Sequence, residues 1–240
     1  MPDWARARDV LAGEDAVKAG GEKYLPRLDS QTDEEFAAYV QRASFFNATA
    51  RTSEAYQGLI FRRPPFVKLP EGSSGLGRAM EEFANDADML GTSLTAYAKM
   101  VVGDVIGLGR AGTLVDWEEE AEQRAYAVFY RAEQIINWRV ERVNGRNVPT
   151  LVVLRETASG EGRDVFEPAV VEQLRVLRLV ADDNGEPFCR VDLWQEKEPT
   201  SRKLRRGKRE WILVESRVPR RLGKPLPLIP SKCQSSLLTQ

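Results

Sequence analysis

The sequence contains no histidine, and it has only two cysteines among 240 residues. Without histidine the chain cannot form the Ser–His or Cys–His pairs that activate many protein nucleophiles. Histidine is also a common zinc ligand, and two cysteines are too few to complete an all-cysteine zinc site. Cys189 and Cys233 form no C-x-x-C pair, and a reducing compartment is the simplest setting for them. We therefore predict no catalytic residues, no cofactor-binding residues and no metal ligands.

Long apolar segments are missing as well. No run approaches the roughly 20 apolar residues that span a bilayer, and the N-terminal segment lacks the apolar stretch of a signal peptide. Lys plus Arg number 35 and Asp plus Glu number 36, so the net charge provides no overall attraction to nucleic acid or to a membrane surface. We predict no membrane partner, and any attraction to nucleic acid has to come from a local concentration of charge.

The first part of the sequence has the periodicity of helices. Thr32 followed by Glu35 matches a capping box at the start of a helix. Apolar residues recur at helical spacing from Phe36 to Phe46, and a second helical segment runs from about Ala48 to Phe61 before two prolines stop it. Aromatic side chains at this spacing predict a packed core rather than a ligand site.

Gly107, Gly109 and Gly112 fit the G-x-G-x-x-G pattern of dinucleotide-binding proteins. That pattern functions only where a strand precedes it and a helix follows, because the pyrophosphate lies at the helix N-terminus. Here the order is reversed, since a helix capped by Thr92 or Ser93 ends at these glycines and a strand follows. We interpret the glycines as a helix C-cap and a tight turn, and we predict that they bind no nucleotide.

After residue 109 the apolar residues alternate in the manner of strands. Asn144-Gly145 and Asn184-Gly185 predict hairpin turns, and Ala158 to Arg163 is interpreted as a loop. The predicted fold class is α+β, with N-terminal helices followed by a mostly antiparallel β-sheet. The predicted domains are a helical region over residues 1–108, a β-rich region over 109–218, and a Pro-rich arm with a disordered tail over 219–240.

A basic run lies between the last two predicted strands. Six of the nine residues from Ser201 to Arg209 are basic. Such a run can neutralise phosphates, although the solvated tip of a long hairpin is the simpler interpretation. The candidate nucleic-acid contacts are Arg202, Lys203, Arg205, Arg206, Lys208 and Arg209.

Four stretches together resemble the portal proteins of tailed bacteriophages and prophages, a family often described only as a phage structural domain of unknown function. The stretches are Gly21–Pro26 (GEKYLP), Phe45–Phe61 (FFNATARTSEAYQGLIF) with the Arg-Arg-Pro-Pro that follows, Gly109–Trp117 (GRAGTLVDW) and Tyr130–Arg139 (YRAEQIINWR). Their order and spacing are similar to those of the family, and none of them is a catalytic motif.

The resemblance implies a wing-and-body fold and a ring, typically a dodecamer, at one capsid vertex, through which DNA is packaged and ejected. It implies contacts with the terminase, the capsid and the neck proteins, non-specific contact with double-stranded DNA, and no enzymatic activity. The location it implies is the portal vertex of the virion, or the host cytoplasm during assembly or when the copy is prophage-encoded.

The resemblance weakens at the end of the sequence. Family members continue beyond the Pro-rich PLPLIP segment into parts that line the tunnel, whereas Ser231 to Gln240 does not match them. We therefore expect a truncated or frameshifted copy of the N-terminal half, which forms no stable DNA-conducting ring by itself.

Two other hypotheses remain open. The first is a non-enzymatic nucleic-acid-binding module of phage or host that uses the basic hairpin 201–209. The second is an enzyme that depends on carboxylates, which has the least support because carboxylate pairs in this sequence lie mainly in polar helical faces and loops.

Overall fold

The computed structural model describes residues 2–69, 75–118, 121–143, 145–164, 167–182, 185–196, 210–218 and 228–232. Helices come first and antiparallel strands follow, which confirms the predicted α+β class. The chain divides into two compact units. One comprises Met1–Ala111 together with residues 230–232 of the described chain, and the other comprises Gly112–Ile229.

The α-helices of the described residues all lie before residue 109. They are α1 (Pro2–Ala12), α2 (Glu14–Ala19), α3 (Asp33–Arg42), α4 (Ala48–Ile60), α5 (Gly75–Asn85) and α6 (Leu94–Leu108).

Local signals set several of these helix ends. The capping box is present, because the Thr32 hydroxyl accepts from the Glu35 amide while the Glu35 carboxylate accepts from the Thr32 amide. Ser93 caps α6, and Gly109 ends it in the left-handed conformation at φ 80°. The predicted stripe from Phe36 to Phe46 is too long, since α3 ends at Arg42.

Helix α6 packs against α1 and α4. Arg8 on α1 donates two hydrogen bonds of 2.6 Å to the two carboxylate oxygens of Asp104 on α6. This fork geometry fixes both the distance and the rotation of the two helices. A Cβ at Gly107 would lie 2.7 Å from Leu11 Cδ1, so glycine permits the close approach of α6 to α1.

Strands make up the second half of the described chain. A three-stranded sheet has the order β2-β1-β8, and a five-stranded antiparallel sheet has the order β3-β4-β5-β6-β7. The strands are β1 (Arg110–Trp117), β2 (Ala125–Arg131), β3 (Ile135–Val143), β4 (Arg146–Asp164), β5 (Glu167–Ala181), β6 (Pro187–Glu196), β7 (Trp211–Arg217) and β8 (Leu228–Lys232).

The core of the strand unit lies on one face of the five-stranded sheet. Register places Val152 opposite Leu177 and Leu177 opposite Val191, so the three side chains share that face. They cluster with residues contributed by β1 and β2. The buried members are Leu114, Tyr130, Ile135, Val152, Leu154, Leu177, Cys189 and Val191.

Two predictions about the strand region need correction. The predicted loop from Ala158 to Arg163 is part of β4, which pairs with β5 from Leu151↔Arg178 to Asp164↔Glu167. The glycines and polar residues of this segment suggested a loop, but backbone hydrogen bonding to a long partner strand overrides weak local preference. Within the predicted arm and tail, Leu228–Lys232 forms β8 beside β1. Proline is compatible with such a position because β8 is an edge strand.

Candidate functional site

The strand unit contains a buried network of ionised side chains. Arg175 on β5 donates to Glu156 on β4 at 2.6 Å and to Asp116 on β1 at 3.2 Å. Arg217 on β7 donates to the same Asp116 oxygen at 2.8 Å. Tyr130 on β2 donates its hydroxyl proton to Glu156. The network therefore connects five strands drawn from both sheets.

Two glutamines extend the network across the sheet. Gln173 donates to Glu156 at 3.0 Å, and Gln195 donates to the Gln173 side-chain oxygen at 3.1 Å. Each carboxylate thus accepts hydrogen bonds from more than one side chain. Burial of the charges is compatible with this arrangement because buried ions need both a counter-ion and hydrogen bonds.

Burial and charge perturb the titration of two members. Burial raises the pKa of Tyr130 far above the usual tyrosine value, and the charge of Glu156 and the hydrogen bond to it act in the same direction. Burial alone would lower the pKa of Arg175, but the hydrogen bond with Glu156 and its charge outweigh burial and raise that pKa. Tyr130 is consequently neutral and Arg175 charged at neutral pH, so both are donors to Glu156.

The role of this network is structural. Two carboxylates, Asp116 and Glu156, balance two guanidiniums, Arg175 and Arg217. The groups donate to and accept from one another, and the strongly perturbed tyrosine is shifted away from the phenolate that a nucleophile or base requires. The arrangement specifies how β1 and β2 pack on the larger sheet.

A second feature belongs to the helical unit, where α4 has its apolar side chains directed to solvent. Tyr56, Leu59 and Ile60 are 57%, 66% and 55% exposed. A neighbouring side of the same helix carries Gln57, which donates to the Lys99 carbonyl of α6 at 2.6 Å. The prediction that the aromatic residues of this segment form a packed core is therefore wrong for α4, in which no described residue is buried.

The exposed side of α4 is not flat. Tyr56 and Thr52 line two shallow grooves of about 390 and 400 Å³. One groove continues to Leu11 and Ile106, and the other continues to Arg51 and Leu59. We call the set Thr52, Ala55, Tyr56, Leu59 and Ile60 the α4 surface.

Charges surround the α4 surface unevenly. Exposed cations are concentrated on and after the helix, at Arg51, Arg62, Arg63 and Lys68. Exposed carboxylates lie before and at the start of α3, where Asp29, Asp33 and Glu34 follow the exposed Leu28, and also on α4 and α5 at Glu54, Glu81 and Glu82. The helical unit thus has one apolar surface bordered by positive charge and one exposed apolar residue bordered by negative charge.

Only some of the residues selected from the sequence lie in the described part of the chain. The basic run, with Arg202, Lys203, Arg205, Arg206, Lys208 and Arg209, lies outside the described residues. The helix-then-strand order around the three glycines is confirmed: Gly109 ends α6, while Gly107 lies within α6 and Gly112 within β1.

Asp116 is the network residue that the sequence pattern could have revealed. Gly112, Leu114 and Asp116 are alternate residues of β1, so they lie on the same inward face, and all three are buried. A carboxylate at an inward strand position implies a buried cation partner. The partners themselves were not accessible to sequence reasoning, because Arg175 and Arg217 lie 59 and 101 positions away.

Two other kinds of feature are absent from the described part of the chain. Within the described ranges, no group of three or more Cys, Asp or Glu side chains is placed to hold a metal ion. Among the helices in that part of the chain, none combines the length and the apolar character needed to cross a membrane.

No protein-family model matches the chain, and no curated protein sequence matches it either.

Proposed function

We propose that the chain is the N-terminal part of a bacteriophage portal protein, a structural subunit of the capsid-vertex ring through which DNA is packaged and ejected. Its partners are then other copies of itself, in a ring that is typically dodecameric in full-length relatives, together with the terminase, capsid and neck proteins and double-stranded DNA. Under this proposal the chain has no enzymatic activity of its own, and it resides at the portal vertex of the virion or in the host cytoplasm.

The α4 surface is the observation that supports an assembly role. A helix with polar residues towards its own neighbours and apolar residues towards water is unfavourable in an isolated subunit. Burying Tyr56, Leu59 and Ile60 against a partner would contribute about 1–2 kcal/mol each, given that each is already partly covered. The same helix makes up most of Phe45–Phe61, one of the four stretches that together carry the resemblance to portal proteins.

A second copy of the chain fits this surface best. The cations that border it, Arg62 and Arg63 among them, are complementary to the carboxylates around Leu28. Contact between two different surfaces of identical chains is heterologous, and a heterologous contact generates rings when its rotation closes. Such complementarity also disfavours the symmetric pairing of two α4 surfaces, because their cations would then face each other.

Sedimentation velocity of the full chain over a range of concentrations tests the proposal. We expect self-association that Leu59→Glu abolishes, because a carboxylate in the apolar contact would lose its hydration. Leu90→Glu is the matched control, since Leu90 is 85% exposed and lies outside the α4 surface. The double variant Arg62→Glu, Arg63→Glu should associate more weakly than the wild type. The difference between the two should be smaller at high salt, because salt screens the attraction between the surfaces.

Two outcomes would contradict the proposal. One is a monomer at every concentration with all variants folded, and the other is an equal effect of Leu59→Glu and Leu90→Glu.

A further inference from the structure

The face of the five-stranded sheet opposite the core carries a row of arginines. Register places Arg139 on β3 opposite Leu151 on β4, Leu151 opposite Arg178 on β5, and Arg178 opposite Arg190 on β6. Residues opposite each other on neighbouring strands share a face. These side chains therefore lie on one face, and the neighbouring row Val152, Leu177 and Val191 lies in the core on the other.

Arg178 and Arg190 share a single carboxylate. Their Nε atoms lie 3.7 and 3.3 Å from the oxygens of Asp192, which also accepts a hydrogen bond of 2.7 Å from Ser216. Asp192 is buried, whereas the two arginine side chains are 45% and 40% exposed. Arg190 Nε lies within ion-pair distance of Asp192 but makes no hydrogen bond. Two like charges directly opposite each other destabilise a sheet. Arg178 and Arg190 carry two positive charges and share one buried carboxylate, so the pair keeps an excess of positive charge.

The rest of the face carries charges of both signs. Arg155 is on the same face, opposite Leu174, and is paired at 2.9 Å with Glu172. On β3, Glu141 follows Arg139 at the next position of the same face, and the register places Arg146 of β4 on that face opposite Val143. Glu141 and Arg146 are both exposed. The face thus carries five arginines (Arg139, Arg146, Arg155, Arg178 and Arg190) and four acidic residues (Glu141, Glu172, Asp192 and, at the end of β6, Glu196).

Aromatic side chains accompany the arginines. Trp194 is opposite Leu174, in the same cross-strand row as Arg155, and Phe188 lies near Arg190 at the start of β6. Both are half-buried, and neither belongs to the core cluster on the opposite face. A sheet face that combines guanidiniums with aromatic rings can pair with phosphates and stack bases at the same time.

We propose that this face binds single-stranded nucleic acid, with the phosphates along the row Arg139, Arg178 and Arg190 and a base on Trp194. The row crosses four strands, about 14 Å at the usual strand spacing, which suits an extended ligand rather than a small anion. Arginine forks match phosphate oxygens in geometry as well as charge. A single strand is favoured over a duplex because the site is a sheet face and places no helix or ribbon that could enter a groove.

The site is independent of the proposed assembly through the α4 surface. It lies within Gly112–Ile229, and the α4 surface lies within Met1–Ala111. Loss of self-association and loss of nucleic-acid binding are therefore separate results, measured on separate variants.

Fluorescence anisotropy with labelled oligonucleotides tests the site. The chain used carries glutamine at Arg202, Lys203, Arg205, Arg206, Lys208 and Arg209, so that binding by the basic run does not contribute. We expect a single-stranded oligonucleotide to bind more tightly than a duplex of the same length. We also expect the salt dependence, the slope of log K against log salt concentration, to fall by about one for each arginine removed.

The variants separate binding from folding. Arg139→Gln changes an exposed side chain on an edge strand, and it should weaken binding without altering the circular dichroism spectrum. The double variant Arg178→Gln, Arg190→Gln should weaken nucleic-acid binding further, although these two substitutions also remove the cationic partners of the buried Asp192. Arg78→Gln on α5, where the side chain is 78% exposed, is the matched control and should leave binding unchanged.

A second readout reports on Trp194. Single-stranded nucleic acid should quench tryptophan fluorescence, and Trp194→Phe should remove that quenching. The proposal is overturned if the duplex binds as tightly as the single strand, if polyglutamate binds as tightly as the oligonucleotide, or if Arg139→Gln leaves binding unchanged. Absence of any binding in the chain with the neutralised basic run would overturn it equally.

Discussion

Replacing Arg175 with methionine is the most direct perturbation of the buried network. The substitution keeps much of the side-chain volume and removes the cation that lies 2.6 Å from Glu156 and 3.2 Å from Asp116. The two carboxylate side chains are 15% and 5% exposed, so water cannot replace the lost partner fully. Removing one member of a buried ion pair costs about 3–5 kcal/mol. Asp116 keeps Arg217 and Glu156 keeps Tyr130, so we expect the lower end, about 3 kcal/mol.

Urea unfolding followed by tryptophan fluorescence measures this loss. Four of the five tryptophans, Trp117, Trp138, Trp194 and Trp211, lie in the strand unit, so the signal reports mainly on it. A loss of about 3 kcal/mol lowers the urea midpoint by about 1 M or more, given typical slopes of about 1–3 kcal/mol per M.

Arg155→Met is the matched control for this experiment. Arg155 pairs with Glu172 at 2.9 Å, but its side chain is 51% exposed, and exposed pairs contribute about 0–1 kcal/mol. A double-mutant cycle of Arg175→Met with Glu156→Gln should show a coupling energy of about 0.5–3 kcal/mol. Equal losses for Arg175→Met and Arg155→Met would refute the argument that burial makes the network important.

Three further predictions concern single residues. Because the folded-state pKa of Tyr130 is raised above the ordinary 10.0, its stabilising contribution is complete below pH 10 and is lost as the pH rises further. Urea unfolding at increasing alkaline pH should show a steeper fall in stability for the wild type than for Tyr130→Phe. Gly109→Ala should destabilise the chain by about 1 kcal/mol because φ is 80°, whereas Gly58→Ala within α4 should stabilise it by about 0.5–1 kcal/mol; thermal unfolding compares the two. Cys189 is buried and its pKa is raised to about 11, so in a Cys233→Ser background the folded chain should not react with a thiol reagent at neutral pH, and the denatured chain should release one equivalent.

Short-range signals predicted much of the fold correctly. The capping box at Thr32 and the C-cap at Gly109 depend on contacts within about four residues, so both can be identified from the sequence. Gly145 has the positive φ of 77° expected for the predicted hairpin turn between β3 and β4. The change from helical to strand periodicity near residue 109 likewise follows from the spacing of apolar residues, and it was sufficient for the α+β class.

Both candidate surfaces depended on long-range contacts. The pattern of α4 correctly indicated a helix, but not which of its sides would face α6, because polar Gln57 occupies the side that packs and Tyr56 the side that does not. The arginines of the open sheet face look like ordinary strand charges in sequence. Only the register, Arg178 opposite Arg190 and Arg139 one strand beyond Leu151, brings them into one row.

The sequence by itself determined the order of helices and strands and several of the points where they begin or end, and it showed that histidine-based chemistry has no place in this chain. Helix caps, hairpin turns and the side-chain period depend on residues that are close together in the sequence, so they can be identified from the sequence alone. The tertiary structure alone decided that Asp116, Glu156, Arg175 and Arg217 meet in one buried network. Those four residues come from four strands, and the free energy of burying a charge depends on partners that only strand pairing and sheet packing bring within hydrogen-bonding distance.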